Sequence, residues 1–164
     1  MTTIVPVLTK ENYKITASIA KTIWIEHYTP IIGEQQVAYM LDKFQSAIAI
    51  EDQVKNGSMY YLLLYKESPV GYFSFCIKEG FLFLSKLYVL HTARGNRIGK
   101  TALLFMEEKV KEFGFNKIQL TVNKFNTDSI KAYEKMGFIN CKAIIQDIGN
   151  GYVMDDYVLE KTIR

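Results

Sequence analysis

Between Met59 and Val89 three β-rich runs, Met59 to Tyr65, Val70 to Ile77 and Phe81 to Val89, are separated only by the polar stretches KESP and KEG. Connections this short cannot carry a crossover, so the three runs must pair antiparallel as a meander. Everything else in the chain has to be arranged around that small sheet. Upstream, Ile15, Ile19 and Ile23 recur every four residues with Trp24 beside them, which predicts an amphipathic helix ending near Tyr28 and Pro30. Val37, Met40, Leu41 and Phe44 predict a second helix, and a short helical segment from Ala47 to Asn56 stops at Gly57. Downstream, Ile98, Ala102, Met106, Val110 and Phe113 mark one face of a helix that ends at Gly114. A strand from Lys117 to Val122, a helix from Thr127 to Met136 closed by Gly137, and strands Phe138 to Gln146 and Tyr152 to Glu160 around IGNG complete the order. This string predicts an α+β domain: a mixed, mostly antiparallel sheet with flanking helices and a central parallel β-α-β unit.

A chain of 164 residues is long enough to bury a sizeable core without disulfides or a structural metal, and a single domain over residues 1–164 is expected. The net charge of +3 is mild and its basic residues are scattered, which argues against a nucleic-acid partner. Cys76 and Cys141 fit neither a zinc pattern nor a disulfide framework, so no metal is expected and both cysteines are read as buried, reduced thiols. The N-terminus MTTIVPVLTKENYK has no continuous apolar segment, and no stretch reaches the ~20 apolar residues that span a bilayer. No membrane partner is expected, and the cytoplasm is the default location. The composition leaves oligomeric state open, a homodimer included.

The stretch ARGNRIGKTALL, Ala93 to Leu104, places a glycine-bearing loop at the start of the central helix. It is not a nucleoside triphosphatase loop, because only Asn96, Arg97 and Ile98 separate Gly95 from Gly99, one residue fewer than that signature requires. A helix N-terminus nevertheless offers unpaired N–H groups and a positive dipole end, which suits a pyrophosphate. Backbone amides from Arg94 through Gly95, Arg97, Ile98, Gly99 and Lys100 are the candidate donors, with Arg94 and Arg97 adding charge.

With VNKFNTDSIKAYEKMGF about thirty residues further on, LYVLHTARGNRIGKTALL resembles the acyl-coenzyme-A motifs of the GNAT N-acetyltransferase superfamily, over roughly Met59 to Glu160. The resemblance implies a GNAT-like fold, acetyl-CoA as cosubstrate and acetyl transfer to a primary amine of a small acceptor, of the polyamine type among others. It assigns Asn126 to the pantetheine arm, Tyr133 to protonation of the departing thiolate, and the Val89 N–H to the thioester carbonyl. Arg97 departs from the pattern, since glycine is usual there. Family acceptor sites imply Trp24, His27 and Tyr28, with Glu26 and Tyr39 nearby, and Tyr152, Asp155 and Asp156 opposite. Adjacent strand residues face opposite ways, so only one of Asp155 and Asp156 can line a pocket. No general base is evident: Ser85 and Thr121 occupy positions where relatives carry glutamate. The alternatives are a non-catalytic acyl-CoA-binding regulatory protein and a protein N-terminal or lysine acetyltransferase.

Overall fold

A computed structural model describes residues Met1–Arg164. The elements are β1 (Thr2–Pro6), α1 (Lys10–Ile32), α2 (Glu34–Gln45), α3 (Ala47–Lys55), β2 (Met59–Tyr65), β3 (Ser68–Lys78), β4 (Phe81–Val89), a 3-10 turn (His91–Ala93), α4 (Ile98–Glu112), β5 (Lys117–Asn123), α5 (Thr127–Lys135), β6 (Ile139–Gly149) and β7 (Tyr152–Thr162). The seven strands are ordered β1-β2-β3-β4-β5-β7-β6. β4 and β5 pair in parallel, while β1 with β2, β2 with β3, β5 with β7 and β6 with β7 pair antiparallel. This is the expected α+β class with a parallel β-α-β unit at its centre. The chain clusters into two compact units, Met1–Cys76 with Lys86–Phe105, and Ile77–Ser85 with Met106–Arg164.

Two expectations are corrected at the N-terminal end. TTIVP forms β1, too short for its periodicity to announce a strand, and it is fixed by pairing from Thr2↔Tyr65 to Pro6↔Tyr61. α1 does not end near Tyr28 but runs through Pro30 to Ile32. A proline in the last turn removes only one intrahelical bond, and Gly33, at φ 89°, closes the helix by donating its N–H to the Thr29 carbonyl. The cysteines are also corrected: both are free, but Cys76 is only partly buried and Cys141 is exposed.

In the first unit a chain of buried polar side chains joins the helices to the sheet. The Trp24 indole donates to the Tyr72 hydroxyl at 3.1 Å, Tyr72 donates to Gln45 Oε1, and Gln45 Nε2 donates to the Tyr60 hydroxyl at 3.1 Å. Tyr60 in turn donates to Gln53 Oε1, and Gln53 Nε2 donates to the Phe44 carbonyl at 2.7 Å. Burial pushes Tyr60 up to about 12 and Tyr72 well above the usual tyrosine range, so both stay neutral and able to donate. Each link satisfies a group that would otherwise be costly to bury. The second unit is built on Leu82, Leu84, Met106, Val110, Ile118, Leu120, Phe138 and Leu159, all nearly inaccessible to water.

The end of β4 is held by an unusually close approach from β3. The register of β2 with β3 shifts between Leu63 and Leu64, and the Val70 carbonyl beyond that irregularity accepts from Leu90 N at 2.7 Å. A Cβ at Gly71 would lie 2.4 Å from the Tyr88 carbonyl oxygen and 3.1 Å from Val89 Cα. Glycine is needed here for proximity, not for an unusual φ. Gly71→Ala is therefore expected to destabilise the protein by about 1–3 kcal/mol through forced backbone movement. Denaturant unfolding checks this; a wild-type midpoint would show that β3 yields without cost.

Candidate active site

In the first unit the loop after β4 is set by main-chain hydrogen bonds and left-handed residues. The 3-10 turn closes with Arg94 N donating to the His91 carbonyl at 3.3 Å, and the loop then turns through two left-handed residues, Gly95 (φ 87°) and Arg97 (φ 59°). Asn96 pins it, donating to the Ala93 carbonyl at 2.9 Å and accepting from the Tyr65 hydroxyl at 3.3 Å. Thr101 N bonds back to the Arg97 carbonyl at 3.0 Å, which makes Arg97 the residue that opens α4. The amides of Ile98, Gly99 and Lys100 consequently have no carbonyl one turn earlier to bond. No acidic residue lies in the first turn of α4. Ile98 is buried, so it can serve a ligand only through its main chain, whereas Arg94, Arg97 and Lys100 are exposed. A Cβ at Gly95 or Gly99 would meet nothing within 4 Å, so both glycines look onto open space.

A cavity of about 170 Å³ lies in the same unit, lined by Ile23, Glu26, His27, Val89, His91 and Arg94. It brings together four sequence-predicted residues, Glu26 and His27 of α1, Val89 at the end of β4 and Arg94 of the loop. Trp24 and Tyr28 pack beneath: both are buried, and the Tyr28 hydroxyl shares a 2.9 Å hydrogen bond with Tyr88. The His27 ring stands edge-on to Tyr28 at 4.9 Å. Also in this unit is Lys86, a residue the sequence did not single out, because a lone lysine in a strand reads as a solvated edge. Its side chain is partly buried by surface, but its ammonium is desolvated, and it is pulled down to about 8, with Cys76 opposing. A larger groove of about 550 Å³ between α1 and α2 shares no lining residue with this cavity.

The second unit holds the remaining predicted residues. Asn126 stands at the N-cap of α5 and is only 4% exposed, yet its side chain makes no capping hydrogen bond. Tyr133 is half-buried, its ring edge-on to Phe138 at 5.4 Å. The two aspartates of β7 separate as the strand pleat demands. Asp155 takes Lys124 as partner at 2.8 Å and holds it above the usual lysine range. Asp156 is 4% exposed, and its Oδ1 has no hydrogen-bond partner. Burial, then the charge of Asp155, pushes Asp156 up to about 6. Opposite it in the ladder is Asn123, also buried, whose Oδ1 accepts from Phe125 N at 2.9 Å and whose carbonyl accepts from Asn126 N at 3.0 Å. Asn123 and Asp156 are thus buried polar residues paired across β5 and β7, and the backbone of buried Asn126 is tied to Asn123. Asn123 escaped the sequence reading because a terminal strand asparagine is indistinguishable from a turn residue; its register opposite Asp156 is the signal that identifies it.

Residues 21–138 match the family described as Acetyltransferase (GNAT) family. The chain belongs to that family. No curated protein sequence matches it. Among solved structures it is similar to the PaiA N-acetyltransferase from Thermoplasma acidophilum in complex with coenzyme A, with 21% identity, 99% of each chain covered and a TM-score of 0.82. A GNAT-family acetyltransferase from Staphylococcus aureus Mu50 is similar at 16% identity, 100% of each chain and a TM-score of 0.76. The ribosomal-protein-S18-alanine N-acetyltransferase from Escherichia coli is similar at 13% identity, 99% of this chain and 94% of that one, with a TM-score of 0.72. These likenesses establish the GNAT fold.

The protein is accordingly an acetyl-CoA-dependent N-acetyltransferase, and its loop suits the cosubstrate. Unpaired amides at a helix start, open space over Gly95 and Gly99, and the Arg94 and Arg97 guanidiniums are what a pyrophosphate needs.

Two predictions follow from the loop and the aspartate. Arg97 holds a left-handed conformation that costs a non-glycine residue about 1–2 kcal/mol. Arg97→Gly should raise stability by about 1 kcal/mol while weakening coenzyme A binding and flattening its salt dependence. Unchanged affinity by calorimetry would show that the guanidinium points away from the phosphates. Asp156 has a folded pKa raised from 3.8 to about 6, so its favourable contribution is complete below pH 3.8 and lost as pH rises through about 6. At neutral pH the ionised group costs the folded state about 2–3 kcal/mol. Asp156→Asn should raise the melting temperature at pH 8 and confer no advantage at pH 4; a variant less stable than wild type at pH 8 would contradict this.

Proposed function

We propose that the chain, acting as one N-acetyltransferase domain over residues 1–164, transfers acetyl from acetyl-CoA to a primary amine of a small cationic acceptor such as a polyamine. The observation that carries the acceptor class is the Asp156 carboxylate, nearly inaccessible to water, lacking a partner for Oδ1 and paired across the strands with buried Asn123. A buried anion without a partner is costly, and an ammonium ion is the ligand that offsets the cost. Asp155 cannot take that role equally, because Lys124 already neutralises it. A cytoplasmic location accords with use of acetyl-CoA, and no helix is long and apolar enough to cross a membrane.

Bound acetyl-CoA supplies an activated acyl thioester. The amides at the start of α4, with Arg94 and Arg97, hold its pyrophosphate, and the uncapped side chain of Asn126 takes the pantetheine arm. The Val89 N–H donates to the carbonyl oxygen as negative charge develops there. The Tyr133 hydroxyl gives its proton to the departing sulfur. The reading as an enzyme specific for protein N-termini is disfavoured, since Thr121 of β5 offers no carboxylate.

The test is thiol release from acetyl-CoA across polyamines, amino acids and peptides. Turnover should be fastest with multiply charged amines, and Tyr133→Phe should lower it roughly ten- to a thousandfold without changing acetyl-CoA affinity. Coenzyme A binding without thiol release for any amine would instead support a regulatory protein. Unchanged turnover in the phenylalanine variant would remove Tyr133 from the mechanism.

A further inference from the structure

The reaction needs a base, and neither β4 nor β5 supplies a glutamate at Ser85 or Thr121. We propose that Asp156 is that base: the buried carboxylate that receives the acceptor also takes the proton from its nitrogen. This rests on the amine-acetyltransferase reading above and goes beyond it by assigning a proton transfer to a named atom.

Four observations converge on Asp156 Oδ1. The residue is 4% exposed, and this oxygen has no hydrogen-bond partner within the protein. A buried carboxylate is ordinarily compensated by donors or a cation. Asp155 Oδ1 is also buried without a hydrogen bond, but it lies 2.8 Å from the Lys124 ammonium, whereas Asp156 has no ion pair. The residues paired across from Asp156 are Asn123 on β5 and Ile144 on β6, neither of which can ionise. Lys124, next in sequence to its cross-strand partner Asn123, is engaged by Asp155. The remaining charged neighbour is Asp155 itself, which disfavours ionisation of Asp156 and so makes it a better proton acceptor.

The chemistry balances as follows. An acceptor R–NH3+ gives one proton to Asp156 Oδ1 and becomes R–NH2. The freed lone pair forms the N–C bond at the thioester carbonyl carbon, and the C–S bonding pair departs with sulfur. The nitrogen sheds its second proton to water as the amide forms, sulfur gains a proton from Tyr133, and water restores the tyrosine. Asp156 releases its proton to solvent when product leaves, so one proton is liberated overall. The first transfer is favoured by burial on both sides, because desolvation raises a carboxylate and lowers an ammonium, and the neutral pair requires least solvation. A carboxyl group already at about 6 is closer to the amine than an ordinary aspartate.

The deciding experiment measures kcat and KM for a diamine as a function of pH in wild type, Asp156→Asn and Asp156→Ala, with coenzyme A affinity as the control for folding. Wild-type kcat/KM should fall on the acid side with an apparent pKa near 6, the value of the free enzyme. Asp156→Asn should lose roughly a hundredfold or more in kcat together with that acid limb, while binding coenzyme A normally. Added formate should restore part of the turnover of Asp156→Ala, because a small carboxylate can enter the space and accept the proton. A variant that raises only the acceptor KM, with kcat and the acid limb intact, would overturn the base and leave Asp156 as a counter-ion. A wild type that acetylates no amine would remove the amine reading itself, and the base with it.

Discussion

The approach of β3 to the end of β4 governs the geometry of the cosubstrate side. Gly71 lets the β3 backbone come within contact of the Tyr88 carbonyl and Val89 Cα, and the Val70 carbonyl holds the Leu90 amide. With that end fixed, the 3-10 turn, the left-handed residues Gly95 and Arg97 and the first turn of α4 follow in order, each set by a main-chain hydrogen bond or dihedral. The contribution of particular side chains is small. Asn96 braces the loop and Arg94 and Arg97 add charge, but the donors are peptide groups whose direction the helix determines.

The two units handle buried polar groups in opposite ways. Around Trp24, Tyr72, Gln45, Tyr60 and Gln53 each donor meets an acceptor, and burial keeps the phenols protonated. Such a closed network fixes where α1, α2 and α3 sit on the sheet. Around Asn123, Asn126 and Asp156 the accounts stay open: an N-cap asparagine does not cap and a carboxylate oxygen has no donor. Burial of this second kind opposes folding.

The sequence revealed the fold wherever local chemistry and pattern agreed. Asn150 and Gly151, at φ 54° and 77°, make the tight turn that IGNG announces between β6 and β7. Lys66 and Glu67 make the same kind of turn at φ 52° and 68°, and only the flanking apolar runs disclosed it. β1 was invisible because five residues carry too little periodicity, and the passage of α1 through Pro30 depends on a cap that lies three residues later. The glycine loop was legible as the opening of α4, and Asn126 and Tyr133 as the cap and body of α5, because their spacing maps onto helices. The aspartate pair could be read only as an alternative between two faces. Which face is dry depends on pairing with Asn123 and on where Lys124 reaches, and these are properties of register rather than of composition.

That division between Asp155 and Asp156 bears on why two adjacent carboxylates occur in so apolar a strand. An isolated buried aspartate could be silenced by a lysine placed nearby. Here Lys124 is drawn to Asp155 by a 2.8 Å ion pair, while the charge of Asp155 adds to the burial that lifts Asp156. Asp155 therefore acts twice: it holds the lysine, and its charge adds to the burial that disfavours ionisation of Asp156. The pair in MDDY thus sets side by side one carboxylate paired with a lysine and one held in a dry setting without an ion pair, and the strand pleat keeps the two apart.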